Sequence, residues 1–299
     1  FDFNMKVEDI FYNQNLIDLV NIVSNLDFNK TDFPFHQLFD ALLYKFAQAE
    51  GKGGGFSIQP PELTELMLLL AKVDANEKVY NPFAGLASFA LQLTENSYYY
   101  GEELIEQTTS LGRLRMIIHN CSDNFRLVTK DSIQEFANLD TGIFDKIIFT
   151  PPFNLKLRDI QLNPNIDTQY LLKSNANSLI ISECFKKLNT NGRMVFLMPN
   201  GFLFSQISKE FLLRKNLVEY GNFEMIIALP SAIFYQTAIP VNLIVLSKET
   251  PKKSITFIDA SECYIEKSRN ERILNVSAIY DLINNRISND KVCSVFADE

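Results

Sequence analysis

The sequence predicts an α/β protein in which a doubly wound, mostly parallel sheet follows a small N-terminal helical domain. Three observations predict this fold. Up to about residue 48, the apolar residues recur at helical spacing without any strand pattern. From residue 78 to residue 246, seven short apolar stretches of strand character alternate with helical or turn segments, which is typical of a parallel sheet covered by helices. The run Lys52-Gly53-Gly54-Gly55 marks a flexible boundary between residues 1–52 and residues 53–299.

The first half of the sheet domain contains three predicted strand–helix units. Pro60 and Pro61, followed by Glu62, begin a helix that extends to about residue 73, because proline and an acid are favoured in the first helical turn. We expect strands at residues 78–80, 98–100 and 125–128, and helices at residues 86–93 and 106–119. Each of these strands runs into small or polar residues.

The second half of the domain continues the alternation. A strand over residues 144–149 is followed by a long helix over residues 170–188, which Asn191 and Gly192 close. Further strands are predicted at residues 193–198, 223–229 and 242–246. From about Ile265 the tail reads as polar and helical.

The formal net charge of −8 bears on the choice of partners. A protein that binds nucleic acid on its own usually presents a basic face, and this chain has only local pairs such as Lys186-Lys187 and Lys252-Lys253. The charge therefore argues against tight autonomous DNA binding and favours a partner, or a domain outside this sequence, that supplies phosphate contacts. No run of about 18 apolar residues occurs, so the sequence predicts no membrane span and a cytoplasmic protein.

The cysteines and histidines show no metal-binding spacing. The four cysteines, Cys121, Cys184, Cys263 and Cys293, are scattered, and we expect reduced thiols. The two histidines, His36 and His119, form no close cluster with the cysteines in the sequence, so a zinc site is not expected.

The most informative stretch is the end of the strand over residues 144–149. Pro151 and Pro152 end this strand, because neither has an N–H for the sheet ladder and both fix φ near about −65°. Thr150 places a hydroxyl just before them, and Phe153 places an aromatic ring just after them. We therefore expect a rigid corner that presents a ring and backbone carbonyls at the carboxyl end of a strand, where open α/β sheets bind ligands.

Three earlier strand ends carry further candidate ligand-binding residues. The turn from Asn81 to Gly85 has small residues that let N–H groups approach a ligand closely, although an ordinary tight turn has the same features. Glu103 ends the next strand, about 20 residues later, where an acid commonly holds ribose hydroxyls, although an acid that faces solvent at a helix start has the same position. Asp131 and Ser132 end the third strand, and Asp131 either accepts from an exocyclic amine or caps the next helix.

From about residue 53 to residue 275, the chain resembles the methyltransferase subunit of type I restriction-modification systems, an N6-adenine DNA methyltransferase. Apart from the loop before the first helix at residues 57–62, the matching stretches lie at strand ends or in later loops. They are residues 79–85, 100–103, 150–154, 173–177, 198–204, 228–230, 233–240 and 257–261. The resemblance implies a seven-stranded Rossmann-like methyltransferase sheet.

The resemblance also implies S-adenosylmethionine as the cofactor. It would lie over the loop of Asn81, Pro82, Phe83, Ala84 and Gly85, with Pro60 beside it. Glu103 would hold the ribose of the cofactor, and Asp131 with Ser132 would meet its adenine.

For the substrate, the resemblance implies an adenine that is flipped out of double-stranded DNA. Phe153 would stack on this base, and Phe234 or Tyr235 would form the opposite wall of its pocket. The carbonyl of Pro151 and the side chain of Thr150 would accept hydrogen bonds from the N6 amine, with Pro152 holding the corner. A specificity subunit, and a restriction subunit in a larger assembly, are the implied protein partners.

The chain departs from the family pattern at three places. Thr150 stands where the pattern Asn/Asp/Ser-Pro-Pro-Tyr/Phe most often has an amide or a carboxylate, and Asn81 replaces the usual Asp. Leu86-Ala87-Ser88 replaces a Ser-Gly-Gly-type run. These departures keep two alternatives open: a weakened or inactive methyltransferase-like scaffold in a restriction or defence complex, and a methyltransferase for another amine, such as a protein glutamine or an RNA adenine.

Overall fold

The computed structural model describes residues 35–50, 58–153, 155–157, 162–234, 239–249, 251–268, 271–284 and 290–296. The helical pattern predicted within residues 1–34 and the predicted boundary at residue 52 lie outside these ranges. Within the described part of the chain, no helix has the length and apolar character needed to cross a membrane.

The helices of the described residues are mostly short. They are α1 (Phe35–Glu50), α2 (Pro61–Ala71), α3 (Glu106–Ile118), α4 (Ser132–Glu135), α5 (Asn177–Lys187), α6 (Gly201–Phe204), α7 (Ser208–Glu219) and α8 (Val276–Asn284). Two 3₁₀ turns lie at Ala90–Gln92 and Phe136–Asn138.

The strands include all seven that the sequence predicts, together with four more. They are β1 (Lys78–Asn81), β2 (Tyr98–Glu103), β3 (Phe125–Thr129), β4 (Phe144–Phe149), β5 (Leu188–Pro199), β6 (Phe223–Ala228), β7 (Val241–Ser247), β8 (Ser254–Asp259), β9 (Tyr264–Ser268), β10 (Glu271–Leu274) and β11 (Val292–Phe296). Strands β9 and β10 form a separate antiparallel hairpin.

Nine of the strands in the described ranges form one sheet with the order β11-β8-β6-β7-β5-β4-β1-β2-β3. Strands β3, β2, β1, β4 and β5 are mutually parallel, and β7 runs antiparallel to both of its neighbours, β5 and β6. The predicted doubly wound α/β fold is confirmed. Strands β1 to β7 supply the seven predicted strands, and β8 and β11 extend the sheet beyond β6.

Apolar cores lie on both faces of the sheet. Ile148 packs in the core that includes Leu66 and Met67 of α2, whereas its neighbours Ile147 and Phe149 pack in the core that includes α5. This alternation follows from the period of two in a strand, and burial on both faces explains why β4 ends in the continuous apolar run Ile147-Ile148-Phe149.

Three predicted elements differ from the structure. The helix expected at residues 86–93 is instead a set of turns with the 3₁₀ turn, and Ala87 there has a left-handed φ of 60° that an α-helix excludes. The long helix expected from residue 170 begins only at Asn177, because residues before it bond to the segment after the diproline corner: Leu157 N–H donates to Lys173 O at 2.9 Å, and Ala176 N–H donates to Leu155 O at 2.8 Å.

The predicted helical tail is helical only in α8. The residues before α8 form the β9–β10 hairpin, and those in β11 pair antiparallel with β8 at the sheet edge. Pairing with a strand distant in sequence overrides local helical preference here.

Candidate active site

A cleft of ≈ 600 Å³ lies over the carboxyl ends of the central strands. The chain winds outward from β1 to β3 in one direction and from β4 to β5 in the other, so the strand order reverses between β1 and β4. Doubly wound sheets bind their ligands in the crevice at this reversal. The predicted site residues that line the cleft are Asn81, Pro82, Phe83, Ala84, Gly85, Glu103, Asp131, Ser132, Thr150, Pro151, Pro152, Phe153 and Phe234.

Two predicted site residues are not among those that line the cleft. Pro60 is the residue that precedes the first turn of α2, and its carbonyl accepts from Thr64 N–H at 3.1 Å and from the Thr64 hydroxyl at 3.2 Å. Gln59, its neighbour, faces the cleft instead. The helix start occupies the carbonyl of Pro60, and the assignment of this residue to the cofactor wall stays a prediction. Tyr235 lies outside the described residues.

The loop after β1 is shaped by one buried amide. Asn81 is 1% exposed; its Oδ1 accepts from Phe83 N–H at 3.1 Å, and its Nδ2 donates to Tyr99 Oη at 3.3 Å. The amide oxygen of Asn81 therefore holds the loop, and its NH₂ group holds the buried hydroxyl of Tyr99. Beyond it, Gly85 and Ala87 both have left-handed φ values, 52° and 60°. The loop thus keeps a glycine-like path at Ala87 even though the residue is alanine.

Glu103 ties the end of β2 to this loop. Its Oε2 accepts from Gly85 N–H at 3.0 Å, and its Oε1 accepts from Ile105 N–H at 2.9 Å. Each carboxylate oxygen has a further lone pair, so the side chain can still accept from hydroxyls in the cleft. The neighbouring Glu102 is fully buried beneath the site, where Tyr80 Oη donates to its Oε2 at 2.7 Å. Burial, together with the charge of Glu102, raises the pKa of Tyr80 well above its ordinary value, so the hydroxyl stays protonated.

Asp131 and Ser132 at the end of β3 have structural partners. Asp131 Oδ1 caps α4 by accepting from Ile133 N–H at 3.1 Å and from Gln134 N–H at 3.4 Å. The Ser132 hydroxyl donates to the carbonyl of Pro82, which links β3 to the β1 loop. The helix-capping alternative for Asp131 is therefore observed. The cap uses one of its two carboxylate oxygens, and the residue still lines the cleft.

The hydroxyl of Thr150 belongs to a chain of side-chain hydrogen bonds. Thr150 Oγ1 donates to Gln59 Oε1 at 3.1 Å, and Gln59 Nε2 donates to Thr64 Oγ1 at 2.8 Å. The Thr64 hydroxyl donates in turn to the Pro60 carbonyl. The end of β4 is thus joined to the start of α2 through one side-chain amide.

Two aromatic rings flank the diproline corner. The rings of Phe153 and Phe234 have centroids 6.5 Å apart and an interplanar angle of 83°, an edge-to-face pair. Pro151 is buried and Pro152 is exposed. Phe153 is half-buried, so part of its ring remains open to a planar ligand.

The sequence reasoning missed several cleft residues. Gln59, Leu104, Ile105, Lys130 and Ile133 all line the cleft. Leu104 and Ile105 are 64% and 40% exposed, unusual for large apolar residues, and they directly follow Glu103. Apolar residues immediately after an acidic strand end were the signal for this wall, since ligand sites are largely lined by apolar side chains.

Lys130 is the basic side chain of this set. Burial lowers its pKa, but the hydrogen bond with Tyr100 and the negative charges of Glu102 and Glu135 raise the pKa by more, so the net shift is upward. The ammonium is therefore charged at neutral pH.

One arginine joins helix α1 to the site loop, the segment of residues 81–88 after β1. Arg115 of α3 holds both oxygens of Asp40 of α1, at 2.7 and 2.8 Å, and its Nη1 donates to Leu86 O at 3.3 Å and Ser88 Oγ at 3.1 Å. Burial raises the pKa of Asp40, but the hydrogen bond and charge of Arg115 lower it by more. His119 packs on the same carboxylate, 3.2 Å from Asp40 Oδ2.

The four cysteines are unbonded thiols, and burial raises the pKa of Cys121 to about 11. Among the residues that the structure describes, no three His, Cys, Asp or Glu side chains converge as metal ligands would.

The sequence is similar to curated methylase subunits. The type I restriction enzyme MpnII methylase subunit of Mycoplasma pneumoniae is 28% identical over 280 residues, covering 84% of this chain and 51% of that protein. The MjaIX methylase subunit of Methanocaldococcus jannaschii is 28% identical over 290 residues, covering 89% of this chain and 51% of that protein. The chain thus spans about half the length of these relatives.

The fold is similar to that of solved methyltransferases. The type I restriction-modification methyltransferase subunit from Streptococcus thermophilus superposes with a TM-score of 0.82 at 24% identity, covering 96% of this chain and 65% of that one. A class I S-adenosylmethionine-dependent methyltransferase from Listeria monocytogenes, described as putative, gives 0.61 at 18% identity, covering 90% of this chain and 84% of that one. The family model described as N-6 DNA Methylase matches residues 29–298. The chain therefore belongs to the N-6 DNA methylase family.

Proposed function

We propose that this chain is the catalytic part of an S-adenosylmethionine-dependent methyltransferase that modifies N6 of adenine in double-stranded DNA within a type I restriction-modification system. The observation that carries the proposal is that two sets of residues share one cleft. The loop after β1 and Glu103 face the same space as the corner from Thr150 to Phe153. A cofactor and a flat amine could therefore meet there. Membership of the N-6 DNA methylase family supports the same activity.

The residues of the cleft fit S-adenosylmethionine. When bound, this group supplies a methyl group on a positively charged sulfur. Glu103 has lone pairs left for ribose hydroxyls, and its charge with that of Asp131 favours a cationic ligand. Leu104 and Ile133 supply apolar walls for a purine ring, and the turn at Gly85 lets backbone approach the ligand closely.

The residues of the diproline corner fit an adenine base. An adenine cannot reach this cleft from within a duplex, so it must be flipped out. Phe153 would stack on the base, with Phe234 packed edge-to-face beside it. The Pro151 carbonyl and the Thr150 hydroxyl would accept the two N6 hydrogens and hold the amine in place, so that catalysis rests on positioning and electrostatics.

The partners follow from charge and from the relatives. The net charge of −8 disfavours unaided binding to phosphates, so a specificity subunit would bring the DNA, as the type I assignment implies. A restriction subunit would join the same assembly. A cytoplasmic location, where host DNA is accessible, is part of this proposal.

Sequencing of modified bases in the host, with and without the gene, tests the proposed activity. The same experiment identifies the target site. We expect N6-methyladenine at one bipartite or continuous sequence motif to disappear with the gene and to return with the intact gene. Complementation by a Phe153→Ala variant provides the matched control for the base pocket. An unchanged methylome on deletion would contradict the activity.

One observation favours a second candidate, a weakened or inactive scaffold. Thr150 offers a hydroxyl where an amide or carboxylate would be a committed acceptor. Methyl transfer to unmethylated host DNA separates the candidates, because a scaffold that senses cofactor also binds S-adenosylmethionine in calorimetry, but only the enzyme transfers the methyl group. An absence of binding at millimolar cofactor would contradict the enzyme.

A further inference from the structure

Gln59 is placed to decide how the Thr150 hydroxyl meets a substrate. Both side chains line the cleft, and their direct hydrogen bond of 3.1 Å joins residues 91 positions apart in sequence. Sequence reasoning about Thr150 alone could not have found this partner.

The donor and acceptor of each hydrogen bond between Thr150 and Pro60 follow from the last acceptor, the carbonyl of Pro60. The carbonyl of Pro60 can only accept, so the Thr64 hydroxyl uses its single hydrogen there. Thr64 Oγ1 must then accept from the amide NH₂ of Gln59, which is the geometry observed at 2.8 Å. The amide oxygen of Gln59 consequently faces Thr150, and the Thr150 hydroxyl must donate its only hydrogen to that oxygen.

This direction matters because a hydroxyl can either donate or accept a hydrogen bond, whereas the carbonyl of an asparagine can only accept one. A hydroxyl that donated to the substrate amine would bond to the nitrogen lone pair that has to attack. With its hydrogen held by Gln59, Thr150 Oγ1 keeps its lone pairs for an N–H of the amine and leaves the nitrogen lone pair free. We infer that Gln59 is a positioning residue that makes Thr150 an acceptor for the target amine, so that the two side chains together replace a single asparagine or aspartate. This inference rests on the proposed methyl transfer to an amine.

The test uses the complete protein with the subunits that copurify with it, and measures kcat at saturating cofactor and DNA. Gln59→Leu should lower kcat about tenfold, equivalent to about 1.4 kcal/mol, since one hydrogen bond is lost and the hydroxyl can turn towards the amine. Gln59→Glu, which keeps an oxygen acceptor, should stay within a few-fold of the unaltered protein. Gln92→Leu, the same exchange at an exposed position away from the cleft, is the matched control.

The decisive comparison is the same exchange in a Thr150→Asn background. Asparagine accepts without help, so Gln59→Leu should then change kcat less than about twofold. An equal loss in both backgrounds would show that Gln59 acts through the fold and would overturn the inference, as would a Gln59→Leu protein with unaltered kcat.

A binding measurement makes the test independent of turnover. In the presence of S-adenosylhomocysteine, adenosine should bind several-fold more tightly than purine riboside, which lacks the amine, and Gln59→Leu should reduce this ratio. If Gln59→Leu lowers the unfolding temperature, Gln59→Asn, whose shorter amide cannot reach Thr150, replaces it with the same expectation.

The outcomes separate the two proposals. No methyl transfer by the unaltered protein contradicts the proposed function, while the nucleoside ratio still tests the pair of side chains. Methyl transfer with an unchanged rate and ratio in Gln59→Leu contradicts only the role of Gln59.

Discussion

The two halves of the cleft are built differently. On the β1–β3 side, Glu103 and Asn81 hold backbone N–H groups of the loops around them, so the wall consists of short local bonds between neighbouring strands. On the β4 side, Thr150 depends on Gln59 from before α2, and Phe153 touches Phe234 from beyond β6. The β1–β3 side is the proposed cofactor half, and we expect it to tolerate departures from the family pattern. The β4 side is the proposed base half, and it depends on contacts between distant segments.

The largest expected effect separates the halves directly. Phe153→Ala removes the ring on which the base would stack, and such stacking contributes about 1–3 kcal/mol per base. We expect kcat/KM for DNA to fall about tenfold to hundredfold, with an unchanged dissociation constant for S-adenosylmethionine. Phe153→Tyr keeps the ring and is the control. An equal loss of cofactor affinity in Phe153→Ala would mean that the halves are not independent.

A mutation in the cofactor half should act through packing. A Cβ at Gly101 would lie 2.8 Å from the buried Tyr99 ring and 2.9 Å from Ala84 Cβ in the loop. Gly101→Ala is therefore expected to destabilise the fold by about 1–3 kcal/mol and to weaken cofactor binding, because both neighbours must move.

Thermal unfolding with and without S-adenosylmethionine checks this expectation. Gly201→Ala serves as the matched control, since a Cβ there meets no atom within 4 Å. A Gly101→Ala protein as stable as the control would show that the loop yields easily.

Removing a charge from the cofactor half should have a smaller effect. Glu103→Gln keeps one oxygen for the N–H groups of Gly85 and Ile105 but loses the charge and one acceptor. We expect about tenfold weaker binding of S-adenosylmethionine by calorimetry, in line with the loss of one charged hydrogen bond.

Binding of the base by Glu103→Gln should be unaltered when the cofactor is saturating. Glu106→Gln, three residues further on and exposed at the start of α3, is the control for the loss of charge alone. If both variants bind S-adenosylmethionine equally weakly, the effect comes from the overall electrostatic field of the protein and not from the contact of Glu103 with the cofactor.

The smallest expected effect concerns pH and the anchor of α1. Burial is the main cause that lowers the pKa of His119 below its ordinary 6.5, against the opposing effect of Asp40. Between the lowered folded value and 6.5, the unfolded chain binds more protons than the folded protein, so the free energy of unfolding falls as the pH falls through this window. Asp40, whose own pKa is lowered from 3.8, stays ionised there.

We expect the titration of His119 to lower the unfolding temperature by no more than about 2 °C between pH 7.5 and pH 5.5. His119→Gln should reduce the drop, while cofactor affinity at either pH stays as in the unaltered protein. A larger drop in the variant would contradict the direction assigned to His119.

Much of the cofactor half could be predicted from sequence because its residues follow strand ends directly. Asn81, Glu103 and Asp131 each end an apolar run, and parallel strands bring their carboxyl ends to one edge. The choice between Glu102 and Glu103 follows the alternation along β2, which buries one and turns the other to the cleft. Residues 86–93 form turns in place of the predicted helix, because the left-handed turn at Ala87 has no glycine to signal it.

The sequence alone determined the order of the seven predicted strands, the corner at Pro151 and Pro152, and many of the residues that line the cleft, since periodicity and turn chemistry depend on neighbouring residues. Only the tertiary structure decided that Gln59 reaches Thr150, that Arg115 joins α1 to the site loop, and that β8 and β11 extend the sheet. The physical reason is that such contacts join residues far apart in the chain. Their geometry depends on the path of the whole backbone, which no local pattern records.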